Sequence, residues 1–300
     1  MVKTIGNPLS WSVGALEGAG RGASHLAERL GGVEESGVPV VRKIGTEDLK
    51  EALRRGVEDF AAFRSDVVAI CLLYPVIGGV LVWFALDRNL LPLLFPMLSG
   101  FALVGPLAGV GLYEMSRRRE RGLHPNWGDA LAVFRSSALA PIVMLGIYLL
   151  AIFVAWLFAA WFIYAMTLGP EPPASTGAFL ADVFTTGAGW AMIVLGFGVG
   201  FVFAVVALAI SVVSFPMLLD RDVGLPLAVV TSVTLVARNP WTMAQWGLVV
   251  ALSLALGAIP ALLGLALVVP ILGHATWHLY RRAIDFEAPN PKPNPDPAPE

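Results

Sequence analysis

His274 and His278 stand four residues apart in the stretch "LGHATWHLYRRAI". On a helix, positions i and i+4 share one face, so the two imidazoles can address one metal ion or one face of a haem. A structural metal wants four ligands, and a bis-imidazole haem wants a second histidine from a facing helix. The remaining histidines, His25 and His124, lie in a Gly-rich N-terminal segment and in a connecting loop. The other chemistry open to the pair is hydrogen bonding to carbonyls or carboxylates of neighbouring helices, with Trp277 and Tyr280 suited to a membrane headgroup level. Carboxylates are available at the same depth: Glu114, Asp220 and Asp222 end apolar runs that stop at the same kind of basic boundary. Glu114, Asp220, Asp222, His274 and His278 are therefore one candidate polar cluster. The alternative use of these carboxylates is ion pairing at helix ends with Arg117, Arg118, Arg221 and Arg282. The metal assignment rests on His274 and His278 alone, and no cofactor is predicted.

The elements that must position these groups are membrane helices. Of 300 residues 57% are hydrophobic and 14% charged, well below the ~25% charged typical of soluble domains. Charge-free runs cover 136–170, 183–219 and 239–280, each longer than the ~20 residues needed to cross a hydrocarbon core. The last is long enough for two passes, 241–259 and 261–280, with Pro260 removing a backbone donor at the turn between them. Two further runs, 67–86 and 90–112, are separated by "DRN". The reading is an all-α membrane protein with six transmembrane helices arranged as three hairpins.

Of the 20 Lys and Arg residues, all but Arg88 fall on one side of this six-span arrangement. Cytoplasmic loops keep an excess of bases, so both termini are expected in the cytoplasm of a bacterial inner membrane, and the net charge of -2 hides the asymmetry. Residues 1–43 read as a weakly ordered segment interrupted by glycines, with no cleaved signal peptide. Residues 44–284 form the membrane domain. It opens with an amphipathic helix over 46–65, capped by Thr46, with Leu49, Leu53, Val57 and Phe60 along one face. This helix is expected on the membrane surface or packed on the span ends. Residues 285–300 alternate Pro with polar residues and read as a disordered tail. Cys71 is the single cysteine, which excludes an intrachain disulfide and any multi-cysteine metal site.

After the second and the fourth span come short amphipathic stretches, "HPNWGDALAVFRSSALAP" and "LPLAVVTSVTLVARNP", each stopping at a proline, Pro141 or Pro240. They join the hairpins as short interfacial helices on the cytoplasmic side. "PLAGVGLYEMSRR" also aligns without gaps on "PILGHATWHLYRR", which suggests an internal repeat. Gly105 with Gly109, and Gly196 with Gly200, have the small-xxx-small spacing that permits close helix approach. No predicted span carries a charge near its centre, as coupled transporters usually require. The outer loop contains Glu171 and Asp182 but no base, and no nucleophile, base and oxyanion set stands out.

The segments "DLKEALRRGVEDF", "YPVIGG", "GPLAGVGLYEMSRRRERG", "SFPMLLDRDVG" and "LGHATWHLYRR" occur in this order and resemble the DUF2189 family of predicted bacterial integral membrane proteins, over about residues 44 to 284. The resemblance implies a membrane-embedded helical domain and carries over no functional residue. Some members of the family bear a name linked to cytochrome c oxidase, which the few histidines here do not support. The first functional reading is a non-enzymatic accessory or scaffold acting through a membrane-protein partner or as a homo-oligomer. The second is a transporter or channel for a small apolar or lipid-like molecule, with the polar cluster at its mouth. The third is a metal- or haem-handling protein. The partners expected are the lipid bilayer and other membrane proteins, with no nucleic acid.

Overall fold

The computed structural model describes residues 37–123 and 125–287, with only the backbone described at 64–71, 108 and 127. His25, His124, the glycines of the N-terminal segment before residue 37 and the prolines beyond residue 287 lie outside the described residues.

The chain runs β1 (Val38–Val41), α1 (Thr46–Cys71), α2 (Leu73–Asp87), α3 (Leu94–Leu103), α4 (Gly105–Ala108), α5 (Val110–Glu120), α6 (Trp127–Ala130), α7 (Leu139–Thr167), α8 (Thr176–Thr185), α9 (Gly187–Ser211), α10 (Ser214–Asp220), α11 (Leu225–Arg238), α12 (Pro240–Ala258), α13 (Leu265–Ala283) and β2 (Ile284–Glu287). Among the described residues, four stretches are long and apolar enough to cross a membrane: Leu91–Glu120, Leu139–Thr167, Gly187–Asp220 and Pro240–Ala258. The first and the last of the six expected spans are not among them. α2 has only 15 residues, and α13, at 19 residues, carries two histidines and two arginines on its final turns. α1 and α2 are separated by Leu72 alone, whose backbone stays helical at φ -59° and ψ -18°.

Connecting helices occur where the amphipathic stretches predict them. α6 starts at Asn126 in a capping box, its side chain accepting from Gly128 N while Asp129 accepts from Asn126 N. α11 has Pro226 in its first turn and buries Leu225, Ala228, Thr231, Ser232 and Leu235 along one face. The turn from α12 to α13 is tight, with Ala261 and Leu262 both at positive φ, 51° and 67°. That conformation is costly for residues with a Cβ. It brings Gly264 so close to Gly257 that an added Cβ would lie 2.7 Å from the Gly257 carbonyl oxygen.

Two expectations are corrected. The ends read as unstructured are partly paired: β1 and β2 form an antiparallel ladder with Val38 opposite Glu287 and Val41 opposite Ile284. β-branched residues in β1, the Arg42–Asp285 ion pair at 3.3 Å and Arg221 stacked 4.8 Å from the Phe286 ring support it. Second, the buried stripe of α1 is Leu49, Ala52, Gly56, Asp59 and Phe63, whereas Val57 is half exposed. Small residues and one carboxylate replace the larger apolar side chains because α1 packs lengthwise on α13. An added Cβ at Gly56 would meet Ala275 N at 2.7 Å and Ile271 O at 2.8 Å. The helix is observed packed along α13. The outer loop contains α8, started by Ser175, whose hydroxyl accepts from Ala178 N at 3.1 Å.

The segment between β1 and α1 is tied down by polar side chains at the start of α12. Asn239 accepts from Ile44 N at 3.0 Å and donates to Arg42 O at 3.1 Å, while the Thr242 hydroxyl donates to Ile44 O at 3.0 Å. The entry to α1 is thereby fixed before the helix begins.

Candidate functional site

The α1–α13 seam and the C-terminal half of α5 enclose a chain of buried polar groups. His278 Nε2 lies 2.8 Å from Asp59 Oδ2, which also accepts from Ser116 Oγ at 2.5 Å. Ser116 Oγ lies 2.8 Å from His274 Nδ1. Arg119 donates to the second oxygen of Asp59. Asp59, Ser116, His274 and His278 are all buried, His274 completely.

The hydrogen count along this chain settles its donors. A serine hydroxyl carries one hydrogen, and a carboxylate only accepts. Ser116 spends its hydrogen on Asp59, so His274 donates from Nδ1 to Ser116 Oγ, and its Nε2 is left without a hydrogen-bond partner. Burial pushes the Asp59 carboxyl up, but hydrogen bonds from His278 and Ser116 and the fields of both imidazoles outweigh it, and the group sits below its ordinary value of 3.8. Asp59 is thus an ionised carboxylate with every strong donor around it in use.

Serine, histidine and aspartate are the residue types of a hydrolytic triad, but their order differs. Here the carboxylate holds the hydroxyl directly, and the histidine that touches the hydroxyl donates to it and so cannot act as its base. Ser116 is also closed to any substrate, at 1% exposure. The two imidazoles do not converge on one point either: one addresses Ser116 through Nδ1 and the other Asp59 through Nε2. Among the described residues, no group of three or more His, Cys, Asp or Glu side chains is placed to hold a metal ion. What the arrangement does is clamp three helices through directed bonds between buried charges.

The five residues grouped from the sequence fall into separate sets. His274 and His278 belong to the Asp59 chain. Glu114, on the same helix as Ser116, accepts from Arg118 Nε at 2.7 Å, and an Arg117 nitrogen lies 2.8 Å from its other oxygen as an ion pair without directed hydrogen-bond geometry. Arg118 continues to Asp129, and Arg117 donates to Leu219 O at 2.9 Å, tying α5 to α6 and α10. Asp220 accepts from the Tyr280 hydroxyl at 2.9 Å and pairs with Arg281 at 3.4 Å and Arg121 at 3.6 Å. Arg282 pairs with Asp48 at the start of α1. Asp222 lies in the link from α10 to α11. Ion pairing at helix ends is therefore the use made of Glu114 and Asp220. Asp59 and Ser116 are absent from the sequence grouping. Asp59 stood on the amphipathic helix, where an acidic residue among Arg54, Arg55 and Glu58 reads as part of a solvated face. Its signal was the spacing of Leu49, Ala52, Gly56, Asp59 and Phe63, which is an unbroken helical stripe.

On the other side of α13 lies an apolar cavity of about 220 Å3 between α2, α3, α4, α5, α9, α12 and α13. Phe101, Tyr113, Trp246, Leu254, Leu265 and Thr276 are among its walls, and no lining residue is charged. Gly105 also lines it, and an added Cβ there would meet nothing within 4 Å. Of the two small-xxx-small pairs, an added Cβ would lie 3.0 Å from the Trp156 ring at Gly200 and 3.0 Å from the Tyr113 hydroxyl oxygen at Gly109, whereas at Gly105 and Gly196 it would meet nothing within 4 Å. A second apolar cavity of about 510 Å3 lies nearer α8, walled by Phe95, Trp156, Tyr164, Phe179 and Trp190.

Comparison with curated proteins and with solved structures finds no match. The comparison that does find a counterpart places residues 94–220, the stretch from α3 to the end of α10, in DUF2189, a family described as predicted integral membrane protein.

Proposed function

We propose that this integral membrane protein is a non-enzymatic carrier or binder of a small apolar or lipid-like molecule, held in the cavity beside α13. The observation that carries the reading is that cavity: about 220 Å3, apolar and lined by no charged residue. Ligand sites are concave and mostly apolar with a few placed polar groups, and this volume, below the ~300–1,000 Å3 of drug-sized sites, suits something small or narrow. The cavity moves this reading ahead of the accessory or scaffold role. The absence of charge from the cavity wall fits passage or storage of a neutral molecule better than ion coupling.

The proposed topology is six passes with both termini in the cytoplasm of an inner membrane. It is supported by the helical continuity of α1 and α2 across Leu72, by the hairpin turn at Ala261 and Leu262, and by the pairing of β1 with β2, which puts the described ends of the chain on one side. That side carries Arg117, Arg118, Arg119, Arg121, Arg281 and Arg282, as the bias of bases toward the cytoplasm requires.

The test is native mass spectrometry of protein extracted in mild detergent. An organic adduct retained by the wild-type chain and lost from Gly105→Leu, whose side chain would enter the cavity, is the expected result. A bare chain, or an adduct held equally by the variant, removes the reading.

A further inference from the structure

The cavity has a shape and two chemically different ends. On α12 its walls run from Trp246 to Ala258, and on α13 from Leu265 to Thr276. At 1.5 Å per residue these stretches are roughly 16 to 18 Å long. So small a volume drawn out over that distance is a slot. Its length is close to that of one leaflet's chains, about 15 Å or half of a ~30 Å hydrocarbon core.

At the α12–α13 turn the slot is closed by Ala258, Leu262 and Leu265, all apolar. At the opposite end, beneath the arginine rim, it is lined by Tyr113, Ser211 and Thr276. Ser211 donates its hydroxyl hydrogen to Ala207 O at 2.6 Å, and Thr276 donates its own to Leu272 O at 2.7 Å. Each hydrogen is spent on the preceding helical turn, so these two oxygens have only lone pairs to offer. A ligand group that satisfies them must donate. A carboxylate would face these two acceptors with no cation beside it, since no lining residue is charged, whereas a hydroxyl can donate to them and accept from the Tyr113 hydroxyl.

We infer that the slot takes a single long hydrocarbon chain ending in a hydroxyl donor, a long-chain alcohol or an undissociated fatty acid, with the chain toward the α12–α13 turn and the hydroxyl toward Ser211 and Thr276. The inference rests on the cavity reading for the existence of a ligand and adds its class and direction. Chain length is then limited by the distance between the two ends, and Gly105, opening on the slot from α4, lies along its path.

The experiment measures retention of radiolabelled hexadecanol by delipidated protein on gel filtration and its displacement by octanol, hexadecane, adamantanol and hexadecanoic acid at low pH. Hexadecanol and the protonated acid are expected to bind at least tenfold more tightly than octanol or adamantanol, and several-fold more tightly than hexadecane. Ser211→Ala should erase the preference over hexadecane while leaving chain-length dependence intact. Gly105→Leu should bring hexadecanol down to the level of octanol, and Gly105→Ala, which adds only an uncrowded methyl, should fold normally and give a smaller loss in the same direction. Adamantanol or octanol binding as well as hexadecanol would overturn the chain while leaving the cavity reading intact. Equal binding of hexadecane and hexadecanol would overturn the hydroxyl end. Failure of every probe to bind would remove the cavity reading and the inference together.

Discussion

The α1–α13 seam and the outer face of α9 are built on opposite principles. In the seam, Gly56 lets two backbones approach, and Asp59, Ser116, His274 and His278 meet at distances between 2.5 and 2.8 Å with almost no exposure. Along α9, Phe197 and Phe201 stand more than 60% exposed, and only 6% of the most apolar window of Gly187–Asp220 is buried in the protein. Lipid tails are as apolar as these side chains, so α9 gains nothing by hiding them, whereas an unpaired charge in the seam has no solvent to turn to. Specificity of position is therefore concentrated where the chain is polar, and the apolar face is tolerant because its solvent is tolerant.

The comparison is broken most directly at Asp59. Asp59→Ala leaves Arg119, His278 and Ser116 facing a void, and removing one partner of a buried charged network costs about 3–5 kcal/mol. Unfolding of the variant in nanodiscs should show a loss of that order, and a loss below about 1 kcal/mol would mean that the seam carries no more than the lipid face. The same carboxylate sets a pH dependence. Its folded value lies below its ordinary 3.8, so its stabilising contribution is complete above that pH and is lost as pH falls through the folded value. Acid unfolding of wild type should steepen below about pH 3.8, a feature that Asp59→Asn lacks.

Gly56→Val tests the other half of the seam. The added atoms would overlap Ala275 N and Ile271 O, both backbone, so neither can swing aside. Overpacking of this kind costs about 1–3 kcal/mol. Detachment of α1 should be visible as faster amide exchange over 46–63, and unchanged exchange there would show that the backbones do not touch.

Four of the six expected spans were legible because a hydrocarbon core demands long charge-free runs, and the turn after Pro260 announced itself within the last such run. The connecting helices were legible from amphipathic stretches ending in proline. The partners of the two histidines were not, because Ser116 is 158 positions from His274 and Asp59 is 219 positions from His278, where Asp59 reads locally as one more acid among Arg54, Arg55 and Glu58. The β1–β2 ladder was hidden for a similar reason: four residues of strand at each end have no period long enough to register, and they pair only because α1 and α13 bring them together. The cavity has no sequence signature at all, since Gly105 and Leu254 look like any other membrane-helix residues until seven helices are placed around them.

The smallest effect is the one that sharpens the comparison. Phe201→Leu removes an aromatic ring from the most apolar span in the chain, and in a soluble core a change of that size would open a costly cavity. Phe201 is 69% exposed, so the atoms lost are in contact mainly with lipid, which flows into the space that they leave. The expected change in unfolding free energy is within about 0.5 kcal/mol, the range of surface substitutions away from special features. Side by side with Asp59→Ala in the same nanodisc assay, it gives the contrast between the two regions as a single ratio. A loss above 1 kcal/mol at Phe201, or a drop in assembled mass on gel filtration, would show that α9 packs against protein, and the lipid-facing account of this helix would have to be replaced by an interface.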